Sequence, residues 1–74
     1  MTPKQLATVG QALYGERWQT ALAIALGITD RNMRRWVKGT HAIPDKVRAD
    51  LAIIVERHGR KLKKTLAGLQ DVGA

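Results

Sequence analysis

The amino-acid sequence predicts an all-α domain of four or five short helices. Apolar residues recur at spacings of three and four in five stretches, and no stretch shows the alternation of a half-buried strand. The chain has 74 residues, 45% of them hydrophobic and 26% charged, which is typical of one small globular domain. Its core must be small, because a chain of this length buries only about 60–65% of its unfolded surface.

The first helix is predicted from about Pro3 to Tyr14, since Thr2 and Pro3 suit a cap and first turn and Gly15 is a stop signal. The second helix is predicted from about Glu16 to Leu26 and ends at Gly27. The apolar stripes are Leu6, Val9 and Leu13 in the first helix and Trp18, Leu22, Ala25 and Leu26 in the second.

The third helix is predicted from Asp30 to Lys38. Thr29 can cap it, the carboxylate of Asp30 is favourable at its positive end, and Gly39 follows its last turn. Residues 40–43 are predicted to form a loop, because the residue before Pro44 is driven out of the helical region.

The fourth helix is predicted from about Pro44 or Asp45 to Arg57, with Gly59 as its end. Its apolar side comprises Val47, Leu51, Ile54 and Val55. The spacing of Leu62, Leu66 and Leu69 then predicts a short fifth helix from Lys61 to Leu69. We therefore expect a domain over residues 1–59 and a C-terminal basic segment over residues 60–74.

The net charge favours a polyanionic partner. Thirteen Lys and Arg against six Asp and Glu give +7, and a positive field of this size attracts nucleic acid or an anionic membrane surface. Charge that serves only solubility is the alternative. The position of the cations must decide between these interpretations.

Several classes of protein are excluded by composition. Without cysteine there is no disulfide, thiolate ligand or cysteine nucleophile, and two histidines are too few for a zinc site. No apolar stretch is long enough to span a bilayer, and no signal-peptide pattern is present. We expect a cytoplasmic protein without enzymatic activity, metal, cofactor, small-molecule ligand or membrane partner.

The third predicted helix has two chemically different faces. On a helical wheel, Met33, Trp36 and Val37 lie on one side. The opposite side carries four cations, Arg31, Arg34, Arg35 and Lys38. Four like charges on one short face repel one another, and a DNA major groove, about 12 Å wide and lined by phosphates, accepts such a helix.

The residues before this helix suit a helix-turn-helix. Ala23 is small enough for a close helix crossing, and Gly27 tolerates the positive φ that the turn requires. Ile28, Met33 and Trp36 supply apolar residues on the inner face after the turn.

Residues 19–39 resemble the helix-turn-helix of the lambda-repressor/Cro-like (XRE-type) regulators. The matching positions are Gln19, Ala23, Gly27, Trp36 and Gly39. The run from Gly27 to Trp36 is also similar to that of small phage-type regulators, including some that accompany anti-CRISPR genes. Residues 15–18 differ from the family's usual connection between the first two helices. The resemblance extends loosely to Arg57 and implies sequence-specific binding of double-stranded DNA.

Two arginines are the leading candidates for base recognition. Arg31 and Arg35 can each bridge O6 and N7 of guanine, with phosphate contact alone as the alternative. Asn32 can reach a base or a phosphate, and Asp30 can accept a hydrogen bond from cytosine or only cap the helix. Phosphate contacts are expected from Thr29, Arg34, Lys38 and His41, and the resemblance adds Gln19. Trp18 and Trp36 could stack on single-stranded bases, but the wheel favours core packing for Trp36.

The leading hypothesis is a transcriptional regulator, in particular a repressor, that binds a two-fold-related operator as a homodimer. The alternative is a phage accessory or antitoxin-like protein whose main partner is another protein. Candidate dimer contacts are Ile53, Leu62, Leu66 and Leu69, unless the last segment folds back on its own domain. The cluster of five cations from Arg57 to Lys64 can be a solvated tail, a second DNA contact, a membrane-surface contact or a protein contact.

Overall fold

The computed structural model describes the backbone of residues 1–72 and the side chains of residues 1–69. Its elements are α1 (Pro3–Tyr14), a 3₁₀-helix (Gly15–Arg17), α2 (Trp18–Leu26), α3 (Asp30–Lys38) and α4 (Asp45–Val72). These described residues include no strand, so the all-α prediction is confirmed. The last two residues of the expected 60–74 segment lie outside the described part.

The start of α1 is fixed by a reciprocal cap. The hydroxyl of Thr2 accepts a hydrogen bond from the Gln5 backbone N–H at 3.1 Å, and the Gln5 side chain accepts one from the Thr2 N–H at 2.9 Å. This capping box satisfies two N–H groups that have no partner within the helix. Pro3 follows at the first helical position, where its missing N–H costs nothing.

A tight glycine turn joins α2 to α3. Gly27 has φ 71° and its N–H donates to the carbonyl oxygens of Ala23 and Ile24, while the Ile28 N–H donates to Ala23 at 3.0 Å. A side chain would be strained at this φ, so glycine is the residue that allows the chain to leave α2 and start α3 three residues later.

The core lies among α1, α2, α3 and the first half of α4. Within the described residues every buried side chain is apolar. The buried residues are Leu6, Trp18, Leu22, Ala23, Met33, Trp36, Val47 and Leu51. The predicted stripes supply most of this set, whereas Ala25 and Val55, both expected on buried sides, are exposed.

The contact between α1 and α2 depends on Gly10. This residue is buried, and a Cβ built on it would lie 2.1 Å from the indole Cε3 of Trp18. The indole therefore occupies the space that any other side chain would need. Because Trp18 starts α2, this contact sets how closely the first two helices approach.

The expected end of the fourth helix at Gly59 is wrong, and so is the separate fifth helix. Helix α4 continues through Gly59 and ends at Val72. Its total length is 28 residues, which corresponds to about 42 Å. A glycine inside a helix costs only about 1 kcal/mol, and the following Arg, Lys and Leu residues favour helix. An ion pair between Glu56 and Arg60 at 2.6 Å spans the position. Among the described residues no helix is long and apolar enough to cross a membrane.

Replacing Gly10 by alanine should destabilise the domain. A Gly→Ala change inside a helix normally stabilises by up to about 1 kcal/mol, but here the new methyl group must displace the Trp18 ring, and overpacking costs about 1–3 kcal/mol. Urea denaturation would measure the change. Gly68→Ala is the matched control, since a Cβ at Gly68 meets nothing within 4 Å. Equal or greater stability of Gly10→Ala relative to the native chain would contradict the proposed packing.

Candidate nucleic-acid interface

The outer face of α3 carries four cations within nine residues. Met33 is completely buried and Trp36 is 8% exposed, so the apolar face of the helix is directed into the core. On the other side Arg31, Arg34 and Lys38 are exposed, while Arg35 is half-buried. The two-faced arrangement that the wheel predicted is therefore present in the fold.

The ends of α3 are held by local hydrogen bonds. The Thr29 hydroxyl accepts from the Asn32 N–H at 3.1 Å and caps the helix. At the other end Gly39 has φ 79° and its N–H donates to the carbonyl oxygens of Arg35 and Trp36. These caps limit fraying of a helix of only nine residues.

The loop after α3 continues this network. The Thr40 N–H and hydroxyl donate to the Arg35 carbonyl oxygen at 3.1 and 3.2 Å. The same hydroxyl oxygen lies 3.1 Å from Nδ1 of His41. With its proton directed to Arg35, the hydroxyl can accept a hydrogen bond from His41 Nδ1–H. The exposed His41 ring is thereby placed at the C-terminal end of the cationic face.

The cations of α3 form no ion pair among the described residues. Within the described part of the chain the ion pair of Arg60 with Glu56 on α4 is the only one. Asp30 is the sole carboxylate on α3, and it lies in the first turn, where it interacts favourably with the helix dipole. Arg35 and Lys38, in the last turn, gain from the dipole as well. Dipole stabilisation does not account for Arg31 and Arg34, which lie earlier in the helix.

Most of the predicted DNA-contacting residues lie on one surface. The exposed residues that α3 brings together are Asp30, Arg31, Asn32, Arg34 and Lys38. Thr29 is exposed, and its hydroxyl oxygen accepts the capping hydrogen bond. The hydroxyl can still donate its own proton to a phosphate oxygen.

Gln19 lies outside α3, at the second residue of α2. It is half-buried and lines a shallow depression together with Glu16, Arg17 and Thr20. No side chain caps the N-terminus of α2, which follows directly on the 3₁₀-helix. Arg17 is a further exposed cation beside this depression. It was not among the predicted DNA contacts, although its position two residues before the motif of residues 19–39 could have indicated it.

The two tryptophans are core residues. Trp18 is 4% exposed and Trp36 is 8% exposed. Neither ring presents the open face that stacking on a base requires.

The expected dimer contacts do not form a single patch. Leu62, Leu66 and Leu69 are 58%, 54% and 67% exposed and share one side of the continuous α4. Ile53 is 50% exposed, but it lies nine residues before Leu62 and therefore about 180° away around the helix. The alternative, in which the last segment folds back on its own domain, is also wrong, because α4 continues through it.

Comparison of the chain with family profiles, curated proteins and solved structures finds no match. Among the described residues no group of three or more His, Asp or Glu side chains could hold a metal ion.

Replacing Trp36 by alanine should destabilise the whole domain by about 3–5 kcal/mol, the usual cost of removing a large buried aromatic ring. This is a large part of the stability available to so small a domain. Thermal unfolding followed by circular dichroism would measure the loss. Ile24→Ala serves as the control, because Ile24 is 76% exposed on α2. Normal melting of Trp36→Ala would show that Trp36 does not join α3 to the core.

Proposed function

We propose that this chain is a sequence-specific, double-stranded DNA-binding regulator of the helix-turn-helix class. The observation that carries the proposal is the two-faced α3, which buries Met33 and Trp36 and exposes unpaired cations on its other side. Helix α2, the Gly27 turn and α3 have the order and lengths of a supporting helix, turn and recognition helix. The resemblance of residues 19–39 to lambda-repressor/Cro-like regulators supports the same class.

In this proposal α3 lies in the major groove. A helix of nine residues is about 13 Å long and, with side chains, about 10–12 Å wide, which matches a groove about 12 Å wide. Arg31 and Arg35 contact bases, and Arg34 and Lys38 contact phosphates on the groove walls. The half-buried stem of Arg35 has fewer conformations to lose when its guanidinium binds guanine, which favours it for base recognition.

The remaining candidates surround this helix. Asn32 contacts a base or a phosphate, and Asp30 caps the helix or accepts from cytosine. Gln19, Thr29 and His41 contact the phosphate backbone on either side. The proposal assigns no catalytic, metal or cofactor chemistry to the chain.

A single α3 contacts only a few base pairs, which is too little to select one site in a genome. We therefore propose a homodimer that binds two half-sites about one helical turn apart in a two-fold-related operator. Occupancy of an operator that overlaps a promoter would block transcription, so repression is the proposed outcome, in the cytoplasm. The alternative is a phage accessory or antitoxin-like protein with a protein partner. The exposed leucines of α4 are the observation that favours it.

Binding to duplex DNA should weaken steeply with salt. If Arg34 and Lys38 of both copies contact phosphates, four contacts imply that affinity falls roughly a hundredfold between 50 and 200 mM salt. Fluorescence anisotropy with a pool of random duplexes, followed by selection of the bound sequences, tests binding and specificity together. Failure to bind any duplex at low salt would reject the proposal in favour of a protein partner.

Two substitutions on α3 should have different effects. Arg35→Ala should relax the choice of base at one position of each half-site, at a cost of about 1–3 kcal/mol for the preferred sequence. Lys38→Ala should weaken binding to all sequences and lower the salt slope by about one unit per lost contact. Binding profiles over operator variants would separate these effects.

Arg60→Ala is the matched control for loss of charge, because Arg60 lies on α4 and is already paired with Glu56. It should leave both the base preference and the salt slope unchanged. An unaltered base preference in Arg35→Ala would show that Arg35 contacts phosphate only. A reduced slope in Arg60→Ala would assign the C-terminal cations to the DNA interface.

A further inference from the structure

An apolar groove lies between α1 and the middle of α4. Val9, Ala12 and Leu13 line it from α1, and Val55, His58, Gly59 and Leu62 line it from α4. The His58 ring is half-buried and packs edge-on against Tyr14. The hydroxyl of Thr8, also in the lining, donates to the Lys4 carbonyl oxygen at 2.9 Å and so needs no other partner. The described lining carries no Lys, Arg, Asp or Glu side chain.

Beyond the groove, the same face of α4 continues as an apolar ridge formed by Leu66 and Leu69. Val55, Leu62, Leu66 and Leu69 fall within about 60° of one another around the helix at 100° per residue. The hydroxyl of Thr65, beside the ridge, donates to the Lys61 carbonyl oxygen at 2.9 Å. The ridge therefore presents exposed leucines without unsatisfied polar groups.

Gly59 leaves open space in the floor of the groove. A Cβ built on Gly10 would strike Trp18, which explains the glycine there, but a Cβ built on Gly59 would meet nothing within 4 Å. No contact in the described chain requires a glycine at this place. Together with Ala12 across the groove, Gly59 leaves room for side chains that come from another chain.

We propose that the groove receives the ridge of a second copy of this chain. The α4 side of the groove and the ridge lie on one face of α4. They are displaced along the helix axis by about two turns. A two-fold axis near residue 63, perpendicular to α4, would place the two α4 helices antiparallel. Each copy's Leu66 and Leu69 would then lie in the other copy's groove, as a self-complementary interface requires.

None of the five cations from Arg57 to Lys64 lies on the ridge itself. Arg57, Arg60 and Lys64 lie on the side of α4 away from the ridge, as their spacing from Leu62 dictates. Lys61 and Lys63 lie about 100° to either side of Leu62 and therefore border the ridge, where their long stems let the ammonium groups stay in solvent. Repulsion between the two copies should weaken as salt is added. The contact would also stabilise the second half of α4, because an isolated helix of that length is marginal in water.

This inference deepens the proposed function, since it names the interface of the DNA-binding dimer. Its test uses the full chain without DNA, so the two can fail separately. Sedimentation equilibrium over about three decades of protein concentration would measure the dimer dissociation constant. A chain that stays monomeric throughout would overturn the interface and leave DNA binding untouched.

Paired variants locate the interface. Leu66→Lys removes the ridge and Gly59→Gln fills the groove with a good helix former, so each should weaken the dimer at least about tenfold. Ile53→Lys and Gly68→Gln make the same kinds of change on other sides of α4 and should leave the dissociation constant unchanged. The interface is refuted if the controls weaken the dimer as much as the paired variants do.

Engineered cysteines distinguish groove insertion from simple pairing of leucine stripes, because the chain has no cysteine of its own. Leu66→Cys protein should form a disulfide with Ala12→Cys or Thr8→Cys protein when the two are mixed and oxidised. Neither protein should link by itself, since a disulfide needs Cα atoms within about 7 Å. Linking of Leu66→Cys alone, or no linking in a dimeric mixture, would overturn insertion of the ridge into the groove.

Discussion

The burial of Met33 and Trp36 is the contact on which the rest of this structure depends. These two side chains hold α3 against α1 and α2, and because a helix is rigid, holding one face determines where the opposite face points. The cations of α3 are therefore presented to solvent by apolar packing and not by any polar contact of their own. A loosely packed α3 could rotate, and its arginines would then lose the fixed positions that base recognition needs.

The close packing of α1 against α2 forms the rest of the core on which α3 packs. Trp18 fills the space left by Gly10, and Ala23 is buried near the turn into α3. Small residues at these places let large rings pack between short helices, which is how so short a chain forms a core in which every buried side chain of the described residues is apolar. The 3₁₀-helix over Gly15–Arg17 makes the connection that residues 15–18 left uncertain in the resemblance.

Helix α4 serves two surfaces at once. Its first half contributes Val47 and Leu51 to the core, and its second half carries leucines that its own domain does not cover. Because one helix spans both parts, the position of the leucine stripe is rigidly related to the core and so to α3. In the proposed dimer this relation would set the spacing of two recognition helices, which must match the repeat of the DNA helix.

The sequence by itself determined the helical class, the bounds of α1 and α3, the end of α2 and the two faces of α3, because caps, glycine stops and apolar spacing act over a few residues. The predicted start of the second helix at Glu16 is wrong, since a 3₁₀-helix occupies Gly15–Arg17 and α2 begins at Trp18. It could not show that α4 runs through Gly59, since a glycine ends a helix only when the flanking residues favour an end. Nor could it show the Gly10–Trp18 contact or the separation of Ile53 from the leucine stripe. Those features depend on which helices meet and on the phase of one continuous helix, and only the tertiary structure decided them.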